Sequence, residues 1–363
     1  MPKLDSLVCI RIFACLEIFC CHCLWPGGAC GVSLFIILSG FLLTYNYIDS
    51  PKFPCSSEHF GITSFRFAKR KISKLYPLHI IMMCIMVIVL LFNWYTHGYT
   101  EWRSLFIQIF SHVFLLQTWI PIQSFYFSLN GLSWYLSMIF FAYLCFPLIL
   151  RGLRKLRTRK AAIKFALAIY ILQLLIAILC KFCLKTDDTT YYYITYVCPL
   201  FRLGDFIFGC TVGLIFSRRS KEKINRKTYT SLVMLGIFMI AIAQYLYRTN
   251  LLFSWAKYSI LFTLISGFVI YMIACDQNVF SKLGKNKWVI KFSDLTPYIF
   301  LVHHQIIFAV ENSLKLLGLP ENKIVIAFLS MAFPLIVSSL YCKLIQTIPG
   351  LTRKKQITIK KIA

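Results

Sequence analysis

Arg11 and His22 stand eleven residues apart in the run Arg-Ile-Phe-Ala-Cys-Leu-Glu-Ile-Phe-Cys-Cys-His, which is too apolar to be a solvated surface. On a helix, eleven steps of about 100° return to nearly the same face, about 16 Å further along the axis. That is about half of a hydrocarbon core roughly 30 Å thick. Ionisable side chains at such a depth are costly, and they face a cavity or a partner. An imidazole exchanges a proton near neutral pH, whereas a guanidinium stays cationic. The same two residues also fit an arginine that snorkels to the headgroups and a hydrogen-bonded core histidine. Spacing alone does not choose between these readings.

Other residues with chemical potential lie in similarly apolar surroundings. A glycine-flanked helix, Gly31-Val-Ser-Leu-Phe-Ile-Ile-Leu-Ser39-Gly-Phe41, follows the first run. From Ser64 to Pro77, Arg66, Lys69, Arg70, Lys71 and Lys74 are interleaved with Phe65, Ile72 and Leu75. Such a basic stretch holds anionic lipid headgroups or the phosphates of an anionic ligand, and charge does not separate the two. Trp134 and Tyr135, in Asn130-Gly-Leu-Ser-Trp-Tyr-Leu-Ser137, suit an interfacial aromatic belt. Arg202 and Asp205 stand at i and i+3, where they can pair on one helix face. His303 and His304 point about 100° apart, so at most one is expected to face the same cavity as His22.

Composition says what must carry these residues. The chain has 363 residues, of which 59% are hydrophobic, and a mean hydropathy of +0.71. Several stretches exceed the roughly 18 apolar residues that mark a spanning helix, so the expected class is an all-α, polytopic membrane bundle. The polar segments are short and leave no room for a separate soluble domain. A net charge of +26 invites a nucleic-acid partner. Its basic residues, however, sit in loops between apolar segments, which is the positive-inside pattern and excludes that class. The fifteen cysteines are scattered through apolar runs, where Cys behaves as a small hydrophobe. Cys20, Cys21, His22 and Cys23 are adjacent on a helix and point in different directions, so no metal is expected there. The first apolar run contains Arg11 and Glu17 and lacks a small-residue cleavage site, so no cleavable leader is expected.

We read ten spanning helices, near residues 5–24, 29–47, 75–95, 131–150, 161–184, 194–217, 229–247, 251–274, 294–312 and 322–346. A cytoplasmic N-terminus then puts segments 48–74, 151–160, 218–228, 275–293 and 347–363 inside, and these hold most of the lysines and arginines. Residues 104–121 are apolar enough to suggest an eleventh span. Counting them would move the basic 151–160 loop outside, so they are expected to be a re-entrant or interfacial piece on the outer face. The expected organisation is one transmembrane domain over residues 1–350 and a basic cytoplasmic tail over 351–363, in the plasma membrane, with both termini cytoplasmic.

Taken in order, these pieces resemble the acyltransferase-3 family of integral-membrane acyltransferases, which O-acylate cell-surface glycans and related acceptors. The resemblance rests on Arg11 with His22, on Gly31 to Phe41, and on the basic run ending Lys74-Leu-Tyr-Pro77. It rests also on Asn130 to Pro147, on Pro199-Leu-Phe-Arg-Leu-Gly-Asp-Phe-Ile-Phe-Gly209, and on Ser293 to His303. There are departures. Lys71 and Lys74 replace the usual arginines and lack the fork geometry for phosphate. Ile139 replaces a glutamate, Phe300 a tyrosine, Ile36 an aromatic residue and Val8 an aspartate.

The resemblance implies transfer of an acyl group, expected to be acetyl, from cytoplasmic acyl-coenzyme A to a hydroxyl of a cell-surface or lipid-linked glycan. It makes His22 the general base or a transient acyl carrier, and Arg11 the group that holds the donor or stabilises developing negative charge. Arg70, Lys71 and Lys74 would attract the phosphates of coenzyme A. Ser39, Trp134, Arg202 and His303 are the expected substrate-binding residues. The rival readings are a polytopic glycan flippase or polymerase and a non-catalytic acyl-coenzyme A sensor. The charge bias makes a direct prediction about topology. On a background without native cysteines, cysteines introduced at positions 155 and 355 are expected to be labelled from the cytoplasmic side only. Labelling of the two from opposite sides would overturn the ten-helix reading.

Overall fold

The computed structural model describes residues 4–25, 27–50, 60–97, 101–219, 225–249, 251, 256–276, 279–320 and 322–347. The tail at 351–363 and the basic residues of the inner loops at Lys221 and Lys223 lie outside the described residues. The helices are α1 (Leu7–Cys23), α2 (Ala29–Tyr47), α3 (Phe60–Ile72), α4 (Tyr76–His97), α5 (Trp102–Val113), α6 (Gln123–Tyr126), α7 (Trp134–Lys155) and α8 (Arg159–Ile178). They continue as α9 (Asp188–Tyr192), α10 (Pro199–Ser217), α11 (Arg226–Arg248), α12 (Ser259–Ala274), α13 (Val279–Lys285), α14 (Lys287–Leu316) and α15 (Lys323–Thr347). No strand occurs among the described residues, and the protein is an all-α membrane bundle.

Seven helical stretches are long and apolar enough to cross a bilayer, and an eighth arises if α12 and α13, bent by 78°, count as one span. The ten expected spans differ from this count for a physical reason. α1 has only 17 residues, and α14 carries Lys287, Lys291, Asp294, His303 and His304. α1 thus falls short by length and α14 by its ionisable groups, whereas α10 still qualifies as part of a span although it holds Arg202 and Asp205. α14 also starts at Lys287 rather than near 294, because Lys287, Lys291 and Asp294 interrupt the apolar residues of its first two turns.

Burial divides the bundle into an inner and an outer set. The α2 span is 78% buried, the one ending in α10 67% and the one containing α7 50%, whereas those of α4, α8 and α11 are each 22% buried and that of α15 28%. The outer helices present Ile88, Phe92, Phe238, Phe328 and Leu340 to the surface, as lipid-facing helices do.

At the centre α2 meets α10 backbone to backbone. A Cβ added at Gly209 would strike the Ile37 carbonyl, one at Gly213 the Phe41 carbonyl, and one at Gly40 the Phe206 carbonyl. Gly209 and Gly213 form a Gly-x-x-x-Gly pair, which lets two helices approach closely where hydrocarbon supplies no hydrophobic drive.

The far end of α2 is tied to α7. The Arg154 guanidinium donates to the carbonyls of Tyr47 (3.0 Å), Ile48 (3.1 Å) and Ser50 (3.0 Å), and so satisfies the terminal acceptors of α2. The basic helix α3 lies against the same end, with Phe67 stacked on Phe146 at 5.3 Å. Nearby, Arg159 reaches the Tyr271 hydroxyl at 3.2 Å, and Tyr45 and Tyr271 both pack on Phe216. The ends of α2, α7, α10 and α12 and the start of α8 thus meet around Arg154 and Arg159.

Residues 104–121 do not form a long helix. α5 has 12 residues, about 18 Å, and is too short to cross. The chain then turns at Leu115 (φ 56°) and buries Gln117 and Thr118 completely. Gln117 donates to the Ser133 carbonyl at 3.1 Å, and the hydroxyls of Thr118 and Ser137 lie 2.6 Å apart. The segment is anchored to the start of α7.

The glycine contacts predict opposite effects for two alanine substitutions. Gly209→Ala should destabilise the bundle by about 1–3 kcal/mol, because backbone atoms rather than side chains block the new methyl. Gly152→Ala meets nothing within 4 Å and should stabilise by up to about 1 kcal/mol through helix propensity. Unfolding in detergent micelles measures both.

Candidate active site

The short link between α1 and α2 shapes the site. Gly27 (φ 139°) and Gly28 (φ 111°) occupy backbone conformations that side chains rarely adopt, and a Cβ at Gly28 would press on the Cys21 sulfur. This tight turn sets the last turn of α1 and the first of α2 on one wall of a cavity of about 400 Å³. A volume of that order suits a small-molecule site. The lining combines His22 and Cys21 with His304 and with the rings of Phe127, Trp134, Tyr192, Tyr196, Tyr247 and Phe300. None of the lining residues carries a formal charge.

Three imidazoles converge at this wall. His22 is exposed to the cavity, and its ring centre lies 5.1 Å from that of His304, edge-on, and 5.2 Å from that of His303. His304, not His303, lines the cavity. His303 is buried behind it, where its Nδ1 donates to the carbonyls of Ile299 (3.1 Å) and Phe300 (2.9 Å). Those carbonyls can only accept, so the proton sits on Nδ1 and Nε2 keeps its lone pair. The structure thus puts His304 where the sequence expectation puts His303. A step of 100° says that the two diverge, but it does not say which one turns inward.

Arg202 is also one side chain removed from the cavity. Its guanidinium lies over the Tyr196 ring at 5.6 Å, and Nη1 is 2.6 Å from Oδ2 of Asp205, with both side chains fully buried. The other Asp205 oxygen accepts from Gln173 Nε2 (3.0 Å) and from Thr263 Oγ1 (2.8 Å). Helices α8, α10 and α12 thereby share one carboxylate.

A second set of polar groups runs from the cavity toward the basic end. Phe300, in the wall, packs on Tyr135 at 5.2 Å. Ser39 interacts with both Tyr135 and Tyr143, and Tyr143 interacts electrostatically with Arg11. Arg11 is half-buried and also interacts electrostatically with Asp294 of α14. Of the expected site residues, His22 and Trp134 line the cavity, whereas Ser39 and Arg11 belong to this track. Arg70, Lys71 and Lys74 lie at the basic end, away from the cavity. Lys71 sits over the rings of Tyr47 (5.3 Å) and Phe67 (5.2 Å), and Arg70 and Lys74 are exposed. Among the described residues no group of three or more His, Cys, Asp or Glu side chains is arranged to hold a metal ion.

A family model described as an acyltransferase domain matches residues 4–343, and so takes in α1 to α14, most of α15 and all of these side chains. The chain belongs to the acyltransferase-3 family. Among its relatives, the acyltransferase MdmB of Streptomyces mycarofaciens is 30% identical over 177 residues, which are 44% of this chain and 42% of that protein. The O-acetyltransferase OatA of Staphylococcus aureus strain NCTC 8325 is 24% identical over 336 residues, 86% of this chain and 51% of the relative. The chain spans about half the length of these relatives. No solved structure matches it.

Within the acyltransferase-3 frame, the aromatic half of the cavity is what sequence reasoning missed. Tyr192 and Tyr196 come from the run Tyr-Tyr-Tyr-Ile-Thr-Tyr, whose density of phenols was a visible signal. Tyr247, at the end of α11, had none. The buried Arg202–Asp205 pair yields a further expectation. Asp205→Asn leaves an uncompensated guanidinium and should cost about 3–5 kcal/mol, whereas the double replacement Arg202→Met with Asp205→Leu should cost much less. Detergent unfolding of both variants checks the difference.

Proposed function

We propose that this chain is a membrane O-acyltransferase that moves an acyl group, expected to be acetyl, from acyl-coenzyme A to a hydroxyl of a cell-surface or lipid-linked glycan. One observation carries the reading. An imidazole, His22, lies open on the wall of an uncharged aromatic cavity, on the same helix as the half-buried Arg11. Family membership and the printed names of the relatives, an acyltransferase and an O-acetyltransferase, favour transfer over a flippase or polymerase.

In this reading the neutral His22 ring takes the proton of the acceptor hydroxyl as its oxygen attacks the thioester carbonyl. The carbon–sulfur bond then breaks, and the imidazolium returns the proton to the departing thiolate. Arg11 lies about 16 Å away along the helix, too far to share a reacting atom with His22, so it meets the donor instead. Its cationic fork suits the donor's anionic and carbonyl groups. Arg70, Lys71 and Lys74 raise the local concentration of the polyanionic donor at the basic end, which is cytoplasmic in this reading. The donor enters there and the acceptor from the opposite, outer side, where Trp134, Tyr192, Tyr196 and Tyr247 offer ring faces to a sugar. Both termini are then cytoplasmic, and the protein resides in the plasma membrane.

The decisive assay offers radiolabelled acetyl-coenzyme A to membranes with and without the protein and follows label into glycan. His22→Ala at matched expression should lower transfer by about 10²–10⁴-fold while leaving insertion intact. Arg11→Lys should retain more activity than Arg11→Ala, since the charge survives and the fork does not. Retention of most activity by His22→Ala overturns the mechanism. Donor binding without turnover by the unmodified protein overturns the enzyme reading in favour of a sensor.

A further inference from the structure

A carboxylate lies directly behind the cavity wall and takes no part in the chemistry above. Glu17 is five residues before His22 on α1 and is buried. Its Oε2 accepts the backbone N–H of Gly31 at 2.8 Å, and its Oε1 accepts from Nε2 of Gln244 on α11 at 2.6 Å. Gly31 lies in the first turn of α2, where N–H groups have no partner within the helix. The residue before α2 is Gly28, which has no side chain to supply a cap. Glu17 therefore does from a neighbouring helix what an N-cap side chain does locally, and its charge suits the positive end of α2. The approach requires a glycine at position 31, because a Cβ there would lie 2.5 Å from Oε2.

The second bond extends this grip to α11. Gln244 lies beneath Gly27, and one turn further along α11 Tyr247 enters the cavity. α11 is an outer helix that is only 22% buried, so lipid contact alone does not fix its rotation. A hydrogen bond between buried polar groups does, because hydrocarbon offers neither partner a substitute.

From this we infer that Glu17 is a positioning residue: it holds the start of α2 and, through Gln244, the Tyr247 wall, and so shapes the acceptor half of the cavity that His22 serves. The inference rests on the transfer reading for its kinetic consequence and on the bonds alone for its geometry.

The test removes both acceptors and then restores them. Glu17→Met leaves the Gly31 N–H and the Gln244 amide without their acceptor. Glu17→Gln is the conservative rescue, since its carbonyl oxygen accepts from the Gly31 N–H while the Gln244 amide turns to accept from its NH₂. Glu17→Met should raise the apparent KM for the acceptor by about tenfold, the worth of a buried unpaired polar group, with the KM for acetyl-coenzyme A nearly unchanged. Glu17→Gln should keep the acceptor KM within about threefold of that of the unmodified chain. Equal rises for donor and acceptor, or a Glu17→Gln variant no better than Glu17→Met, overturn the inference.

A readout without turnover separates this result from the enzyme reading. In a chain that keeps Cys21 as its sole cysteine, the rate of alkylation by N-ethylmaleimide reports the shape of the wall. It should change in Glu17→Met and return in Glu17→Gln. The same rate in all three chains overturns the positioning role even if transfer is confirmed. Recovery of the rate in a chain that transfers nothing supports the positioning role and sinks only the enzyme reading.

Discussion

Backbone contact between α2 and α10 sets the spacing of everything around it. Helices that touch through Gly40, Gly209 and Gly213 are nearer than side chains normally allow, and the carbonyls of Ile37, Phe41 and Phe206 take the place a methyl would need. With those two axes so close, α1, α7, α12 and α14 pack around a narrow centre. Their ionisable groups then face one another rather than lipid. Arg202 finds Asp205, Glu17 finds Gln244, and His22 finds two other imidazoles. A wider crossing would leave each group to be satisfied by water that hydrocarbon does not supply.

The cavity follows from the same economy. Its wall holds no formal charge, yet arginine and two carboxylates lie just behind it, each already matched or screened by an aromatic ring. Charges placed behind a ring act on the cavity through their field without claiming the ligand's own hydrogen bonds. Imidazoles are left as the groups in the wall best suited to trade a proton near neutral pH, and the proposed mechanism gives that part to His22.

Much of the bundle was legible from hydropathy, because helices facing lipid must be apolar over a fixed length. The shared face of Arg11 and His22 and the Arg202–Asp205 pair could be read from helical spacing alone. Three things could not. Periodicity gives the angle between His303 and His304 but not the absolute rotation of α14, so it could not pick out the cavity residue. Unbroken apolar runs mark only part of a helix, so the start of α14, interrupted by Lys287 and Lys291, and the break at residues 193–197 went unseen. Contacts between distant helices, such as Glu17 with Gln244 across 227 positions, leave no local pattern at all. The glycines of α10 were visible as a Gly-x-x-x-Gly spacing, but their partner helix was not.

The guanidinium cap at the far end of α2 has a mechanical consequence. Arg154 holds the carbonyls of residues 47, 48 and 50 from α7, while Glu17 holds the first turn from α1. A rod gripped at both ends by different neighbours, and wedged along its length against α10, cannot slide like a piston. Any movement that widens the cavity has to come from perimeter helices such as α4 and α15 rather than from α2. Those helices meet lipid along most of their length, so the thickness of the surrounding bilayer bears on them directly.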